Sequence, residues 1–245
     1  MMPIRQGDGT GISDVRLGDG TRIAEVRKGD GTVLWSAGAD IPDSGVSRWT
    51  FDNEDTNAGT AVDVWGNNDG TINGATTGAT GLSGYDSGQA YSFQTDDYIA
   101  LPVTPPATCS LSIWAQPDNL SDTMAFYSSR NGGNGLIIRS EGSQWAGFAN
   151  DGTFQSVKGG SPSSSSPDHL VLTVDNQNQI EFYVNGSSLG TSGIGNRLTG
   201  VDLNVGRSAA DSNYVDGDAD DPSLYNKVLS DTEVSNLYNT GSING

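Results

Sequence analysis

The sequence predicts an all-β protein: an antiparallel β-sandwich, preceded by a small module of β repeats and followed by one short helix. Three observations lead to this prediction. From residue 47 onward, short β-rich or alternating runs are separated by clusters of Gly, Asn, Asp and Ser, which is typical of sandwiches and barrels. Near the N-terminus, a small turn recurs three times at a spacing of 11 residues. One segment near the C-terminus carries helix start and stop signals.

The N-terminal repeats place the turn Gly-Asp-Gly-Thr at residues 7–10, 18–21 and 29–32. Each repeat is predicted to form two short strands around its turn. Three such units contain too few residues to bury a core of their own. The module is therefore expected to be stable only in an assembly, as a homo-oligomer or docked on a larger body. A hairpin packed on the sandwich of the same chain is the alternative.

The domain boundaries follow from composition. Residues 1–38 are predicted to be an assembly or anchoring module. Residues 39–46, which include a Pro and a Gly and show no apolar periodicity, are predicted to be a linker. The sandwich is predicted to span residues 47–245.

The strands of the sandwich are predicted from their alternating or β-rich composition. They are expected at SRWTF, AYSFQ, YIAL, SLSIWAQ, MAFYSS, GLIIRS, WAGFAN, HLVLTV, IEFYVN and LNVGR. Asp-Gly, Asn-Gly and Gly-Gly pairs stand between several of these runs, where hairpin turns need residues that tolerate positive φ. We expect such turns at Gly132-Gly133, Asp151-Gly152 and Asn185-Gly186.

The predicted helix lies in the segment LSDTEVSNLYNTG, residues 229–241. Ser230 is a favourable N-cap and Glu233 follows three residues later, which together form a capping box. Gly241 stands where a helix commonly ends in a left-handed residue. Val234 and Leu237 fall on one face of this helix and are expected to pack against the sandwich.

The charge balance excludes one class of partner and divides the chain in two. Thirty acidic residues face 12 basic ones, for a net charge of −18, so nucleic acid is not an expected partner. Residues 1–38 hold five basic and five acidic residues, whereas residues 39–245 hold seven and 25. Such an excess of carboxylates suggests a protein that works in high salt, where screening removes much of the self-repulsion.

Several features of other protein classes are not found in the sequence. No apolar run approaches the length of a membrane span, so membrane insertion is not expected. The opening residues MMPIRQGDG lack the apolar region of a secretory signal peptide. The one cysteine, Cys109, cannot form an internal disulfide and is expected to pack as a small core residue.

Five segments of the large region, taken in order, resemble the laminin-G-like, concanavalin-A-like jelly-roll family. They are RWTFDNED…AVDVWGNNDGTINGA, SGQAYSFQTDDYIALP, SLSIWAQPD, DHLVLTVDNQNQIEFYVNGSSLGT and VDGDADDPSLYNKVLSDTEVSNLYNTG. The resemblance covers residues 47–241 and implies an antiparallel jelly-roll sandwich. Pro222 and Ser223 stand where the family has apolar strand residues, which predicts an edge strand with a bulge.

Calcium is the cofactor that this resemblance implies. The acidic run DGDADD fails as an EF-hand, since that loop needs Gly at its sixth position and Glu at its twelfth, where this chain has Asp221 and Lys227. The family often carries one structural calcium ion under the rim of the sandwich. The corresponding positions here are Asp52, Asp63 and Asp220, which we predict as ligands. The alternative is that these aspartates only form turns.

The sequence does not predict an enzyme. None of its five glutamates begins the Glu-x-Asp-x-x-Glu pattern of retaining glycosidases with this fold, and no Gly-x-Ser-x-Gly elbow is present. The single histidine, His169, falls where the family has an aromatic-His-His run before a buried strand, which implies a structural role. Glycan binding is the usual role of the family, although no residue of this sequence marks a sugar site.

The three N-terminal turns suggest where the protein works. Short repeats of this kind resemble those that lead into surface domains on structural proteins of tailed viruses, including viruses of haloarchaea. We therefore predict a virion surface protein of a halophilic virus, a capsid turret, decoration or tail protein, assembled in the host cytoplasm. Its predicted partners are its own copies through residues 1–38, other virion proteins and host-surface glycans. The alternatives are a cellular carbohydrate-binding or adhesion protein of a halophile, or a glycoside hydrolase.

Overall fold

The computed structural model describes residues 45–52, 59–83, 88–130, 134–151, 153–195, 201–209 and 213–241, and the backbone of 25–27 and 33–36. The chain divides into two compact units, Met1–Ile41 and Pro42–Gly245.

The first unit contains an antiparallel hairpin of two strands, β1 (Glu25–Arg27) and β2 (Val33–Ser36). Val26 lies opposite Trp35 in this pairing. The two strands flank the third Gly-Asp-Gly-Thr segment, as predicted for that repeat. The first two repeats lie outside the described residues, so the prediction for them is not addressed.

The second unit is a sandwich of two antiparallel sheets. The strands of sheet I are β4 (Thr60–Ala61), β5 (Gly70–Asn73), β8 (Tyr98–Ala100), β10 (Thr123–Ser128), β11 (Asn134–Glu141), β12 (Gln144–Asp151), β13 (Phe154–Gly159) and β17 (Asn204–Val205). Those of sheet II are β3 (Ser47–Arg48), β6 (Thr76–Thr80), β7 (Gln89–Phe93), β9 (Cys109–Pro117), β14 (Asp168–Val174), β15 (Gln179–Val184), β16 (Ser187–Gly193) and β18 (Gly217–Tyr225).

The strand order shows the long crossovers of a jelly roll. Sheet I runs β13-β12-β11-β10-β17-β8-β5-β4, and sheet II runs β16-β15-β14-β9-β18-β7-β6, with β3 paired to β18. Strands that are distant in sequence, such as β10 and β17 or β9 and β18, are therefore neighbours. The predicted all-β, antiparallel jelly-roll sandwich is confirmed.

The core lies between the two sheets and is formed by alternate residues of their strands. Leu111 and Ile113 of β9 and Leu170 and Leu172 of β14 all point into it from sheet II and are fully buried. From sheet I, the equivalent positions include Trp145, whose ring packs edge-on against Phe126 with ring centroids 5.3 Å apart. This one continuous core is the main source of stability of the sandwich.

Strand β18 differs from the prediction in one respect. A bulge is present, since the register with β9 shifts between Asp220 and Ser223. However, β18 is not an edge strand, because it pairs with β9 on one side and with β7 and then β3 on the other. Pro222 is tolerated in this central strand because it lies at the bulge, where the partner changes from β7 to β3.

One helix, α1 (Asp231–Gly241), follows the sheets as predicted. The Ser230 hydroxyl accepts the Glu233 main-chain N–H at 3.3 Å, and the Glu233 carboxylate accepts the Ser230 N–H at 2.9 Å, which is the predicted capping box. Tyr238 of α1 stacks on Trp114 of β9, so the helix covers the outer side of sheet II. Within the described part of the chain, no helix has both the length and the apolar character that a bilayer span requires.

Candidate functional site

The side of sheet I that faces away from the core carries a second apolar cluster, separate from the core itself. Alternation along the strands places Ala125 of β10, Ile137 of β11, and Ala146 and Phe148 of β12 on this side, and all four are buried. The cross-strand pairs Ile137–Phe148 and Ser128–Ile137 fix their register. We call this surface the outer face of sheet I.

Cations and aromatic rings border this surface over strands β11 to β13. We call the group the basic–aromatic cluster; its members are Arg130, Arg139, Phe148, Phe154 and Lys158. The Arg139 guanidinium lies 3.9 Å from the centre of the Phe148 ring, and the Lys158 ammonium lies 5.3 Å from it. Arg130 lies 4.7 Å from the centre of the Phe154 ring, and the two phenylalanine rings meet edge to face at 6.0 Å. The cluster thus holds each of its three cations within 5.3 Å of the centre of an aromatic ring.

Phe154 is the accessible member of this cluster. Half of its surface is exposed, which is the largest exposed fraction of any large apolar residue in the described part of the chain. A half-exposed aromatic ring beside polar and charged groups offers an apolar surface that a ligand can contact. The ring is therefore the natural contact point for a ligand.

Glu141 at the end of β11 balances part of the positive charge. Its carboxylate accepts Arg139 at 3.1 Å and Lys158 at 2.5 Å. Burial alone would raise the pKa of Glu141, but the two ion pairs outweigh it and lower the pKa. Burial and then the positive charge of Arg139 lower the pKa of Arg130, which shows that the two guanidinium groups repel each other.

The same face continues to a cavity of about 360 Å³ at the β8–β17 side of sheet I. Thr71, Ala100, Asp202, Asn204 and Arg207 contribute to its lining. Arg207 stacks on the Tyr98 ring at 3.3 Å from the centre, and its Nε donates to the Asn204 side-chain oxygen at 3.1 Å. Polar groups with both donors and acceptors beside an aromatic ring are suited to hydroxyl-rich ligands.

Asp52 and Asp220, two of the predicted calcium ligands, contact the two ends of the connection between β6 and β7. Asp220 Oδ2 accepts the main-chain N–H groups of Leu82 and Ser83 at 3.0 and 2.9 Å. Asp52 Oδ1 accepts the N–H of Gln89 at 3.1 Å. Asp220 at the bulge of β18 and Asp52 near the start of the sandwich thus both contact this connection.

Asp220 shows the feature expected of a cation ligand. Its residue is 1% exposed, and its Oδ1 is buried with no hydrogen-bond partner among the described residues. Burial and then the negative charge of Asp221 raise the pKa of Asp220 well above the usual value. A cation at Oδ1 would satisfy this atom and favour its charged form.

The third predicted ligand, Asp63, organises a turn. Its carboxylate accepts the main-chain N–H groups of Arg48, Trp65, Gly66 and Asn68 at 3.0, 3.1, 3.0 and 3.1 Å. Burial acts to raise the pKa of Asp63, but hydrogen bonds from Ser47 and from the main chain lower it overall. A ligand role for Asp63 stays a prediction, and the calcium proposal below rests on the other two residues.

The described residues contain no group of three His, Cys, Asp or Glu side chains that could hold a metal on its own. Asp52 and Asp220 would therefore need oxygen ligands of another kind beside them, such as main-chain carbonyls, which calcium accepts.

His169 lies on the opposite sheet, beneath α1. It is 1% exposed, its Nε2 lies 2.9 Å from the Ser112 hydroxyl, and its ring packs 5.1 Å from Trp114. A buried imidazole with these neighbours packs between β9 and helix α1, where its ring also stacks on Tyr238.

The cluster on sheet I was not predicted from the sequence. Its five members are spread over residues 130–158 and share no motif. One usable signal is the spacing of two residues between Ile137 and Arg139 and between Ala146 and Phe148. Residues at this spacing lie on the same side of a strand, so the outward side of β11 and β12 carries apolar as well as charged residues. Only the register between the strands shows that these positions are neighbours.

Comparison with known proteins yields a family and a set of similar folds. The family model described as the concanavalin A-like lectin/glucanases superfamily, Laminin_G_3, matches residues 93–235. A search of curated proteins finds no match.

Several solved structures share the fold. Domain 4 of an extracellular arabinanase from Geobacillus stearothermophilus, in complex with arabinotriose, has a TM-score of 0.63 at 20% identity, covering 80% of this chain and 98% of that one. The binding domain of botulinum neurotoxin serotype D has a TM-score of 0.63 at 13% sequence identity, and the match covers 81% of this chain and 52% of that one. A mutant Trypanosoma rangeli sialidase with trans-sialidase activity has a TM-score of 0.62 at 19% sequence identity, and the match covers 83% of this chain and 34% of that one. At these identities the likeness is one of fold.

Proposed function

The chain belongs to the concanavalin A-like lectin/glucanase superfamily, and from this premise we propose that its sandwich is a carbohydrate-binding domain whose ligand lies on the outer face of sheet I. The observation that carries the proposal is the half-exposed Phe154 ring, set beside cations on a face that continues to a polar cavity. Sugars combine apolar C–H faces with hydroxyl groups, so they need both surfaces. The arabinotriose complex of the similar arabinanase domain supports a saccharide as the class of ligand.

The test is a glycan-array screen followed by calorimetry, in low and in molar salt. For a saccharide that binds, Phe154→Ala is expected to weaken affinity on the order of tenfold, because it removes the stacking surface. Leu120→Ala is the matched control, since Leu120 is also a large apolar residue with 41% exposure but belongs to the connection between β9 and β10. No binding to any saccharide, or equal losses in both variants, would contradict the proposal.

We expect binding without hydrolysis. A glycosidase needs a carboxylic acid with a raised pKa as its proton donor, together with a second carboxylate. Glu141, the carboxylate beside the basic–aromatic cluster, has a lowered pKa because it pairs with Lys158 and Arg139. A bound oligosaccharide incubated with the protein should therefore remain intact by chromatography, and its cleavage would favour the hydrolase alternative.

We also propose one structural calcium ion, held by Asp52 and Asp220. When bound, the ion would neutralise a buried carboxylate and tie the β18 bulge to the β6–β7 connection. The partnerless Oδ1 of Asp220 supports this assignment. Because the ion would bind the native chain and not the unfolded one, it is expected to raise the stability of the native sandwich.

Calcium binding is tested by the shift of the unfolding midpoint between EGTA and excess CaCl₂. The wild-type chain should shift upward, and Asp220→Asn should lose the shift even if its own midpoint changes. Asp175→Asn serves as the comparison, since Asp175 only organises the turn between β14 and β15, where its Oδ1 accepts the N–H groups of Gln177 and Gln179, and this variant is expected to keep the shift. No shift in the wild-type chain would refute the calcium proposal.

We propose, further, that the N-terminal unit attaches the sandwich to a larger assembly, the surface of a halophilic virus particle. The third repeat forms a hairpin within a separate compact unit, and the acidic excess of the chain lies almost wholly in the other unit. Open hairpin strands offer edges for pairing with other copies. A cellular adhesion protein of a halophile is the second candidate, supported by the same fold and charge.

Light scattering in 2 M NaCl tests the assembly role. The full chain should be a homo-oligomer, and a chain that lacks residues 1–38 should be a monomer with the same sandwich. Two monomers would show that the repeats have no assembly role. Neighbouring genes for capsid and tail proteins would favour the virion, whereas a neighbouring secreted enzyme would favour the cellular protein.

A further inference from the structure

The distribution of basic side chains in the sandwich is uneven. Of the six basic residues whose side chains the structure describes, four lie on the outer face of sheet I or at its edge. They are Arg130, Arg139, Lys158 and Arg207. Residues 39–245 contain 25 acidic residues against seven basic ones, so a grouping of basic side chains on one face is not expected from composition. Its position therefore calls for a functional explanation.

Two cations of the basic–aromatic cluster share one acidic partner, whereas the two basic residues outside this face each pair with an acidic residue of their own. Lys227 pairs with Glu233, and Arg48 pairs with Asp221 at 2.7 Å. In the basic–aromatic cluster, by contrast, Arg139 and Lys158 share the one carboxylate of Glu141. Two positive charges on one negative charge leave one excess positive charge among these three side chains.

We propose that the saccharide bound by this face is acidic, a glycan whose sugar rings carry carboxylate or sulfate groups. The inference rests on the proposed carbohydrate-binding function. Phe154 would contact the apolar face of a ring, and Lys158 would meet the anionic group. Of the two cations paired to Glu141, Lys158 is the accessible one, since 39% of its side chain is exposed against 13% for Arg139.

The geometry is favourable for such a ligand. Ion pairing with Glu141 and packing on the Phe148 ring hold Arg139 and Lys158 in place, so little side-chain entropy is lost on binding. Hydrogen bonds from a cation to an oxyanion are stronger than those between neutral groups. A neutral saccharide would use the aromatic contact but not the excess positive charge.

The experiment compares three saccharides by calorimetry in 0.15 M NaCl: trigalacturonate, a sulfated chondroitin hexasaccharide and neutral maltotriose. An acidic saccharide should bind more tightly than the neutral one. The two acidic probes distinguish carboxylate from sulfate as the preferred group. In Lys158→Gln, affinity for the preferred acidic saccharide should fall about tenfold.

Lys227→Gln is the matched control. Lys227 is also half-exposed and paired with a glutamate, but it lies before helix α1; its variant should bind the acidic saccharide as the wild-type chain does. Thermal unfolding of both variants checks that the fold is retained. If maltotriose binds as well as the acidic saccharides, or if both lysine variants lose affinity equally, the acidic-ligand inference fails while carbohydrate binding stands. If no saccharide binds, both fail.

Discussion

At the scale of single residues, His169 makes one definable contribution to how the sandwich responds to acid. Burial lowers the pKa of His169 from 6.5 to about 3. Below pH 6.5 the unfolded chain therefore takes up a proton that the native chain does not. Native stability contributed by the neutral imidazole is complete above pH 6.5 and is lost as the pH falls towards 3, at about 1.4 kcal/mol per pH unit.

This lowered pKa predicts that the free energy of unfolding depends on pH differently in the wild-type chain and in a variant without His169. From pH 6.5 to pH 5, the free energy of unfolding of the wild-type chain should fall by about 2 kcal/mol through this one group. The variant His169→Gln removes the titration, so its profile should be flatter over that range, whatever its absolute stability. Denaturant unfolding at several pH values measures both slopes. Parallel profiles would show that His169 takes up its proton equally in the native and unfolded states, and would contradict the lowered pKa.

The role of a residue could be predicted from the sequence where its contacts are local. Ser230 and Glu233 define a capping box within four residues, and the structure has it. Arg139 and Phe148 lie on different strands, and their stacking depends on the register of β11 against β12. The candidate site is a product of such pairings, and for that reason its residues could not be assigned to one surface beforehand.

At the scale of elements, the close approach of the two sheets depends on Gly147 in the middle of β12. A Cβ atom at this position would lie 2.6 Å from the Phe182 ring and 2.9 Å from Leu172, both of which belong to sheet II. These distances are far below van der Waals contact. Glycine is thus required here by packing between the sheets, and its backbone conformation imposes no such requirement.

Gly147→Ala is predicted to destabilise the sandwich by about 1–3 kcal/mol through overpacking. For a chain of this size the unfolding midpoint should fall by roughly 5 °C. Gly193→Ala in β16 is the control, since nothing lies within 4 Å of its Cβ position. That variant should be neutral or slightly stabilised, because alanine reduces the entropy of the unfolded chain. Equal midpoints for the two variants would contradict the packing argument.

The strands themselves were predictable to different degrees. Strand β9 contains the alternating and apolar residues of a buried strand and was predicted almost to its ends. Strands β13 and β16, FQSVKG and SSLGTSG, were missed. Each is an edge strand that owes its conformation to pairing with β12 or β15. Because pairing with a neighbour holds such a strand in place, it can form with few apolar residues. Its sequence therefore shows little of the apolar alternation from which strands are predicted.

The position of β18 shows the same limit in another form. Pro222 correctly indicated a bulge, but it suggested an edge because proline cannot donate to a ladder. In the fold, the bulge moves the strand from β7 to β3 as its partner, and the proline occupies the transition. The order of the strands in the sheet decides whether a strand with a proline at a bulge lies at the edge or in the centre. That order cannot be read from the local sequence.

At the scale of the whole molecule, the dominant property is the net charge of −18. At 0.1 M salt the Debye length is about 10 Å, so carboxylates across the acidic unit repel each other, whereas at 1 M it is about 3 Å. Repulsion of this kind destabilises a compact chain more than an unfolded one, in which the charges are farther apart. Salt should therefore stabilise this protein.

Raising NaCl from 0.1 to 2 M is predicted to increase the unfolding midpoint by on the order of 10 °C, which corresponds to a few kcal/mol. Scanning calorimetry in a salt series measures the increase. A sucrose series of matched water activity separates charge screening from general solute effects, and it should raise the midpoint less. A midpoint that is constant or falls with salt would mean that the carboxylates do not limit stability, and it would remove the charge argument for a protein of a saline environment.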